Sequence, residues 1–111
     1  MKRDYKLYLN DIRESIQRIE EYAHHISEEQ FKKNKQLQDA VIRRFEIIGE
    51  ASRNIPRALK EKNKHVPWIR MAQFRDLMAH SYFEVTLNTI WRAVKDDLLK
   101  IKESLKNIAL V

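Results

Sequence analysis

Four residues in one short stretch carry chemistry suited to cutting a phosphodiester. They stand in Phe74-Arg75-Asp76-Leu77-Met78-Ala79-His80-Ser81-Tyr82-Phe83, where Arg75, His80 and Tyr82 follow an R-x4-H-x-Y spacing. Arg75 is a permanent cation whose forked donors match phosphate oxygens. His80 takes and gives a proton near neutral pH. Asp76 lies four residues before His80, so on a helix its carboxylate reaches the imidazole from the preceding turn. Tyr82 follows where the helix has ended and its ring faces solvent or a partner. Charge from arginine, proton transfer from histidine and a carboxylate to orient the ring would together suit RNA-type phosphodiester cleavage.

These residues must be held by helices, because one Gly and two Pro in 111 residues leave little material for sheets or long loops. The apolar steps predict a first helix over residues 4–26, with Tyr5, Leu9, Ile12, Ile16, Ile19, Ala23 and Ile26 on a heptad seam. His24 and His25 close it, and on a helix adjacent histidines point in different directions. Ser27 with Gln30 three residues on forms a capping box that opens a short turn. Lys32, Lys33, Asn34 and Lys35 then read as a cationic loop, either solvated or facing an anion. A second long helix is expected over residues 36–54, its stripe built from Leu37, Val41, Phe45, Ile48, Ala51 and Ile55. Gly49 sits mid-helix, where it costs about 1 kcal/mol against alanine. The usual compensation is a closely crossing helix. Glu46 and Glu50 flank it and are expected to pair with Arg43, Arg44 or Arg53.

Pro56 and Pro67 each suit a first helical turn, giving a short helix over 57–62 and a third main helix over 67–79. The latter carries Trp68, Ile69, Met71, Ala72, Phe74, Leu77 and Met78, so it should be buried on more than one side. Thr86 is the expected N-cap of a last helix whose stripe is Ile90, Val94, Leu98, Ile101, Leu105 and Ile108. Lys95, Asp96, Asp97, Lys100 and Lys102 should face water, and the apolar tail 109–111 should fray. The expected architecture is all-α: one domain over 1–111, an antiparallel four-helix bundle with additional short helices.

Composition narrows the partners. Lys plus Arg number 22 against 16 acidic residues, a net charge of +6, which favours an anionic partner or simply solubilises helix surfaces. Lys32, Lys33, Lys35, Arg43, Arg44, Arg53 and Arg57 are candidates for substrate contact. The absence of cysteine excludes disulfides and thiolate metal sites. The N-terminal residues lack the apolar run of a signal peptide, and no stretch approaches the roughly 20 apolar residues of a membrane span, so a cytoplasmic protein is expected.

Taken alone, the motif also permits a structural reading: a surface arginine, a histidine closing a helix and a tyrosine packing on the next turn. Against it, these polar groups interrupt the most apolar helix, where burial without a task costs free energy. The run Phe45-Glu46-Ile47-Ile48-Gly49-Glu50-Ala51, then Val66-Pro67-Trp68, then residues 74–83 together resemble the HepT-like branch of the HEPN superfamily. The resemblance implies an all-helical homodimer, the toxin half of a toxin–antitoxin pair, with the R-x4-H-x-Y element as a metal-independent ribonuclease site. It places Arg75 and His80 as the catalytic pair. Many relatives carry Asn after the arginine. Here Asp76 supports the site, and His80 or Arg75 would have to neutralise its charge. The implied antitoxin is a small nucleotidyltransferase of the MNT type, able to transfer AMP to the motif tyrosine, here Tyr82. No cofactor is implied.

The chemistry asks for a dimer on separate grounds. Cleavage through the RNA 2′-hydroxyl needs one group to remove a proton and another to supply one. Each chain has one motif histidine, so two copies around a twofold axis would supply both. Two other readings stand beside the ribonuclease. One is a catalytically weak or inactive binding module that docks a nucleotidyltransferase, and the other is a purely structural helical dimer.

Overall fold

The computed structural model describes residues 3–79 and 87–110, and among them all regular structure is helical. Helix α1 spans Tyr5–Ala23. Asp4 caps it, its carboxylate accepting from the Lys6 N–H at 2.9 Å. The heptad seam is buried as expected: Leu9, Ile12, Ile16, Ile19 and Ala23 are all within 5 % of full burial. The helix stops earlier than the periodicity predicted. His24 is extended and His25 takes a left-handed φ of 62°. The helical 100° spacing therefore no longer separates the two imidazoles, and their rings lie 3.7 Å apart instead of pointing in different directions.

Helix α2, Glu28–Lys32, opens on the capping box: the Ser27 hydroxyl accepts from the Gln30 N–H and the Gln30 side-chain oxygen accepts from the Ser27 N–H. The cationic loop is shorter than expected, a two-residue turn of Lys33 and Asn34. Lys32 ends α2, and Asn34 caps helix α3, Lys35–Arg53, by accepting from the Leu37 N–H at 3.0 Å. Buried Gln38 donates to the Phe31 and Lys32 carbonyls and satisfies the end of α2. The lysines there are each paired with an acid four residues away, Lys32 with Glu28, Lys33 with Glu29 and Lys35 with Asp39.

Helix α4 spans Arg57–Lys62 and helix α5 spans Trp68–Ala79. Between them, Asn63 is only 1 % exposed. Its amide donates to the Leu59 and Ala109 carbonyls, and its oxygen accepts from the Ala109 N–H at 2.6 Å. The tail is thus clasped through Leu110, whose carbonyl accepts from Lys62, and does not fray there; Val111 lies outside the described residues. The last helix runs as α6, Leu87–Arg92, a π-helical turn, Ala93–Asp97, and α7, Leu98–Leu105. The π turn had no sequence signal. The proposed cap Thr86 is outside the described residues. Asp97 and Lys102, expected to face water, reach across to other helices: Asp97 to Arg70 at 2.9 Å and Lys102 to Glu20 at 3.0 Å.

Helix α3 is the centre of the fold, packing most extensively on α1 and on α5. One apolar core runs through it, with Phe45 and Phe74 meeting edge-to-face at 4.8 Å. The last helix closes the core against α1 and α2, where Trp91 stacks near Phe31 at 5.2 Å. Among the described residues, no helix is long and apolar enough to cross a membrane.

Candidate active site

Helix α5 presents its chemistry because of how it packs. Met71, Phe74 and Met78 are fully buried, at steps of three and four. Arg75 and Asp76 follow Phe74 directly, so the same helical twist turns them out of the core toward α3. Gly49 of α3 is what lets them come close. A Cβ built at Gly49 would stand 2.6 Å from the Arg75 backbone nitrogen and 2.9 Å from the Arg75 Cβ. The crossing predicted from a mid-helix glycine is therefore real, and the backbone it admits belongs to the motif arginine.

Two ion pairs fix the crossing. Arg75 Nη1 meets Glu50 Oε2 at 3.1 Å, and Arg53 Nη2 meets Asp76 Oδ2 at 3.0 Å. The expectation that Glu50 pairs with Arg43, Arg44 or Arg53 is corrected: its partner lies on the neighbouring helix, because α3 and α5 are in backbone contact one residue away. Among the described residues Asp76 is paired with Arg53, a partner the sequence did not suggest. His80 and Tyr82 themselves lie outside the described residues, and so does any contact between Asp76 and His80.

The result is an alternating cluster of two guanidiniums and two carboxylates. Arg75 is 51 % exposed at its side chain, so its contact with Glu50 orients it without burying it. A guanidinium has five N–H donors, and Glu50 engages one terminal nitrogen, which leaves capacity for a phosphate. Sequence reasoning did not foresee that Glu50 and Arg53 pair with Arg75 and Asp76 of α5. The one available signal was their position one and four residues after Gly49. Of the other arginines named as candidates, Arg57 pairs with Glu61 at 2.9 Å. Ile69, expected on the buried stripe, is 78 % exposed, because α5 buries one face and Ile69 falls off it.

Comparison with known proteins places the chain by similarity of sequence. The family model described as ribonuclease HepT-like matches residues 12–108. A "Probable ribonuclease HepT" of Thermococcus cleftensis is 47% identical over 102 residues, covering 92% of this chain and 93% of that protein. A "Putative RNase" of Methanocaldococcus jannaschii is 42% identical over 105 residues, covering 95% of this chain and 96% of its own length. A second protein of that organism, named "Gamma-glutamylcyclotransferase and putative RNase", is 49% identical over 108 residues, and this chain spans 97% of itself but about half, 49%, of that longer relative. No solved structure matches.

Proposed function

This chain belongs to the HepT-like ribonuclease family, and we propose that it is a metal-independent endoribonuclease toxin acting as a homodimer of HEPN-type four-helix bundles. The observation that carries the reading is the placement of Arg75. Gly49 brings its backbone against α3, and Glu50 holds its half-exposed guanidinium at 3.1 Å, so a cation is fixed at the motif before any substrate arrives. The family and the names of the relatives support RNA cleavage as the activity.

In the proposed site two copies of α5 approach across a twofold axis. The His80 of one protomer takes the proton of the 2′-hydroxyl, and the 2′-oxygen forms its bond to phosphorus. The phosphorus–5′-oxygen bond breaks, and the second His80 gives its proton to the leaving oxygen. The products are a 2′,3′-cyclic phosphate and a 5′-hydroxyl. The two Arg75 guanidiniums hold the phosphorane as charge builds on it. Asp76, tethered by Arg53, contributes to the site without presenting an unpaired negative charge to the scissile phosphate. An MNT-type nucleotidyltransferase acts as the antitoxin and transfers AMP to Tyr82. The adduct would place a bulky anion beside the site.

The test is cleavage of RNA by the purified protein with a chelator present. Cleavage that survives the chelator and is lost in both Arg75→Ala and His80→Ala supports the reading. An inactive wild type that still binds a nucleotidyltransferase leaves the chain a docking module. For the shared site, mixed dimers carrying one His80→Ala chain are expected to lose nearly all activity, and near-full activity would argue for a site within one protomer. Mass spectrometry after incubation with the nucleotidyltransferase and ATP should show one AMP on Tyr82. Neutralised toxicity without that adduct would point to inhibition by binding alone.

A further inference from the structure

The positive charge expected on the 32–35 segment is committed to acids within its own helices, so the surface that meets an anionic partner must be elsewhere. Three lysines without an acidic partner among the described residues, Lys60, Lys64 and Lys100, lie around the start of α5. Lys60 and Lys64 line a groove of about 500 Å³ together with Ile69 and Gln73. Pro67 and Arg70 also line a neighbouring groove of about 360 Å³, which Lys100 lines as well. Asp97 is the one acid along this path, and it is held by Arg70 at 2.9 Å. Lys60, Lys64 and Lys100 have no acidic partner among the described residues. Partial burial lowers the Lys60 pKa from its ordinary value, the condition of an amine that has lost water without gaining an anion.

The apolar element points the same way. Ile69 is the most exposed large apolar side chain among the described residues, and it sits in the first turn of the helix that carries Arg75, lining the same groove as Lys60 and Lys64. On α5, Ile69 lies about 9 Å along the axis from Arg75, at 1.5 Å per residue. Lysines beside an apolar surface, about 9 Å along the axis of α5 from a fixed arginine, match a single-stranded polynucleotide better than a small anion. Phosphates meet the amines and bases meet the apolar wall.

We propose that the groove lined by Lys60, Lys64 and Ile69, extended by Lys100, is the track that binds single-stranded RNA on its way to Arg75. The inference rests on the ribonuclease reading for its substrate, but it is tested by binding, which does not require cleavage. A fluorescent single-stranded RNA oligonucleotide is titrated into wild type, into the triple variant Lys60→Ala/Lys64→Ala/Lys100→Ala, and into the control Lys32→Ala/Lys33→Ala/Lys35→Ala, at several salt concentrations. Each phosphate contact contributes about 0.7 to the slope of log affinity against log salt for a single strand. Removing three free lysines is therefore expected to reduce that slope by about 2 and to weaken binding at least tenfold near physiological salt. The control should change the slope by less than about 0.7, because its lysines are already paired with acids. Ile69→Ser is expected to weaken binding roughly threefold or more with the salt slope unchanged. Circular dichroism establishes that each variant is folded.

An unchanged slope in the folded groove variant, or an equal effect in the control, overturns the track and leaves these lysines to an acidic protein partner or to solvent. RNA that binds through the groove but is not cut by wild type would uphold the track while the ribonuclease reading fails.

Discussion

Gly49 and Arg75 approach so closely that a β-carbon on the glycine would stand 2.6 Å from the arginine's backbone nitrogen. That contact fixes the height of the motif arginine on α3. Alanine at this position would improve helix propensity by about 1 kcal/mol. It would also drive α3 and α5 apart, and overpacking of this kind costs about 1–3 kcal/mol. The atoms in the way are backbone, which cannot swing aside. Gly49→Ala is therefore expected to be net destabilising by about 1 kcal/mol and to reduce RNA cleavage more than its loss of stability explains. Thermal denaturation and kcat measured on the same preparation check this, and a variant as stable and active as wild type would contradict it.

Glu50 acts on Arg75 without burying it. Both side chains are about half exposed, so the pair contributes at most about 1 kcal/mol to folding. Its value lies in orientation, where small displacements of a catalytic group have large effects on rate. Glu50→Ala is expected to leave the melting temperature nearly unchanged while kcat falls roughly tenfold and KM for RNA does not rise. Glu50→Gln, which still accepts a hydrogen bond from Nη1, should recover part of kcat. Equal rates in wild type and Glu50→Ala would remove the carboxylate from any positioning role.

Asp76, paired with Arg53, sits next to Arg75 in the chain, where its charge would partly oppose a bound phosphate. At roughly 6 Å in a water-like dielectric one such charge opposes a phosphate by about 0.7 kcal/mol, or about threefold in affinity. Asp76→Asn also frees Arg53 from its 3.0 Å ion pair. The variant is expected to bind RNA about threefold more tightly, read as a lower KM. A raised KM would mean that the Arg53 tether matters more than the charge it neutralises.

Asn63 joins the end of α4 to the tail through three hydrogen bonds while 1 % exposed. Truncation would remove the side-chain partner of the Ala109 N–H and carbonyl and leave a cavity where the buried amide stood, while the Leu59 carbonyl keeps the Asn63 N–H at 3.1 Å. Asn63→Ala should lose about 2–4 kcal/mol of stability, and hydrogen exchange should show early release of the residues around Ala109. Undiminished stability would show that the tail is not held by this residue.

Ser15 is fully buried on α1, and its hydroxyl has no hydrogen-bond partner among the described residues. A buried unsatisfied hydroxyl costs about 1–3 kcal/mol, and alanine is the better helix former. Ser15→Ala is accordingly expected to raise the unfolding free energy by about 1 kcal/mol in urea titration, with cleavage unchanged. A loss of stability would reveal a partner for the hydroxyl.

Much of this fold could be read along the chain, because it rests on interactions within a few residues. The heptad seam of α1, the reciprocal Ser27–Gln30 cap and the bounds of α4 follow from the 3.6-residue period and from local donors and acceptors. The glycine in α3 announced a crossing because its cost in a helix needs compensation from outside it. What crosses there could not be read, since spacing within one helix carries no information about the register of another. Only tertiary packing set Arg75 against Gly49, gave Glu50 and Arg53 their partners on α5, and turned Ile69 to solvent. The same limit applies to the lysines: a run of positive charge is visible in sequence, but the neighbours on each helix decide whether it is available to a partner.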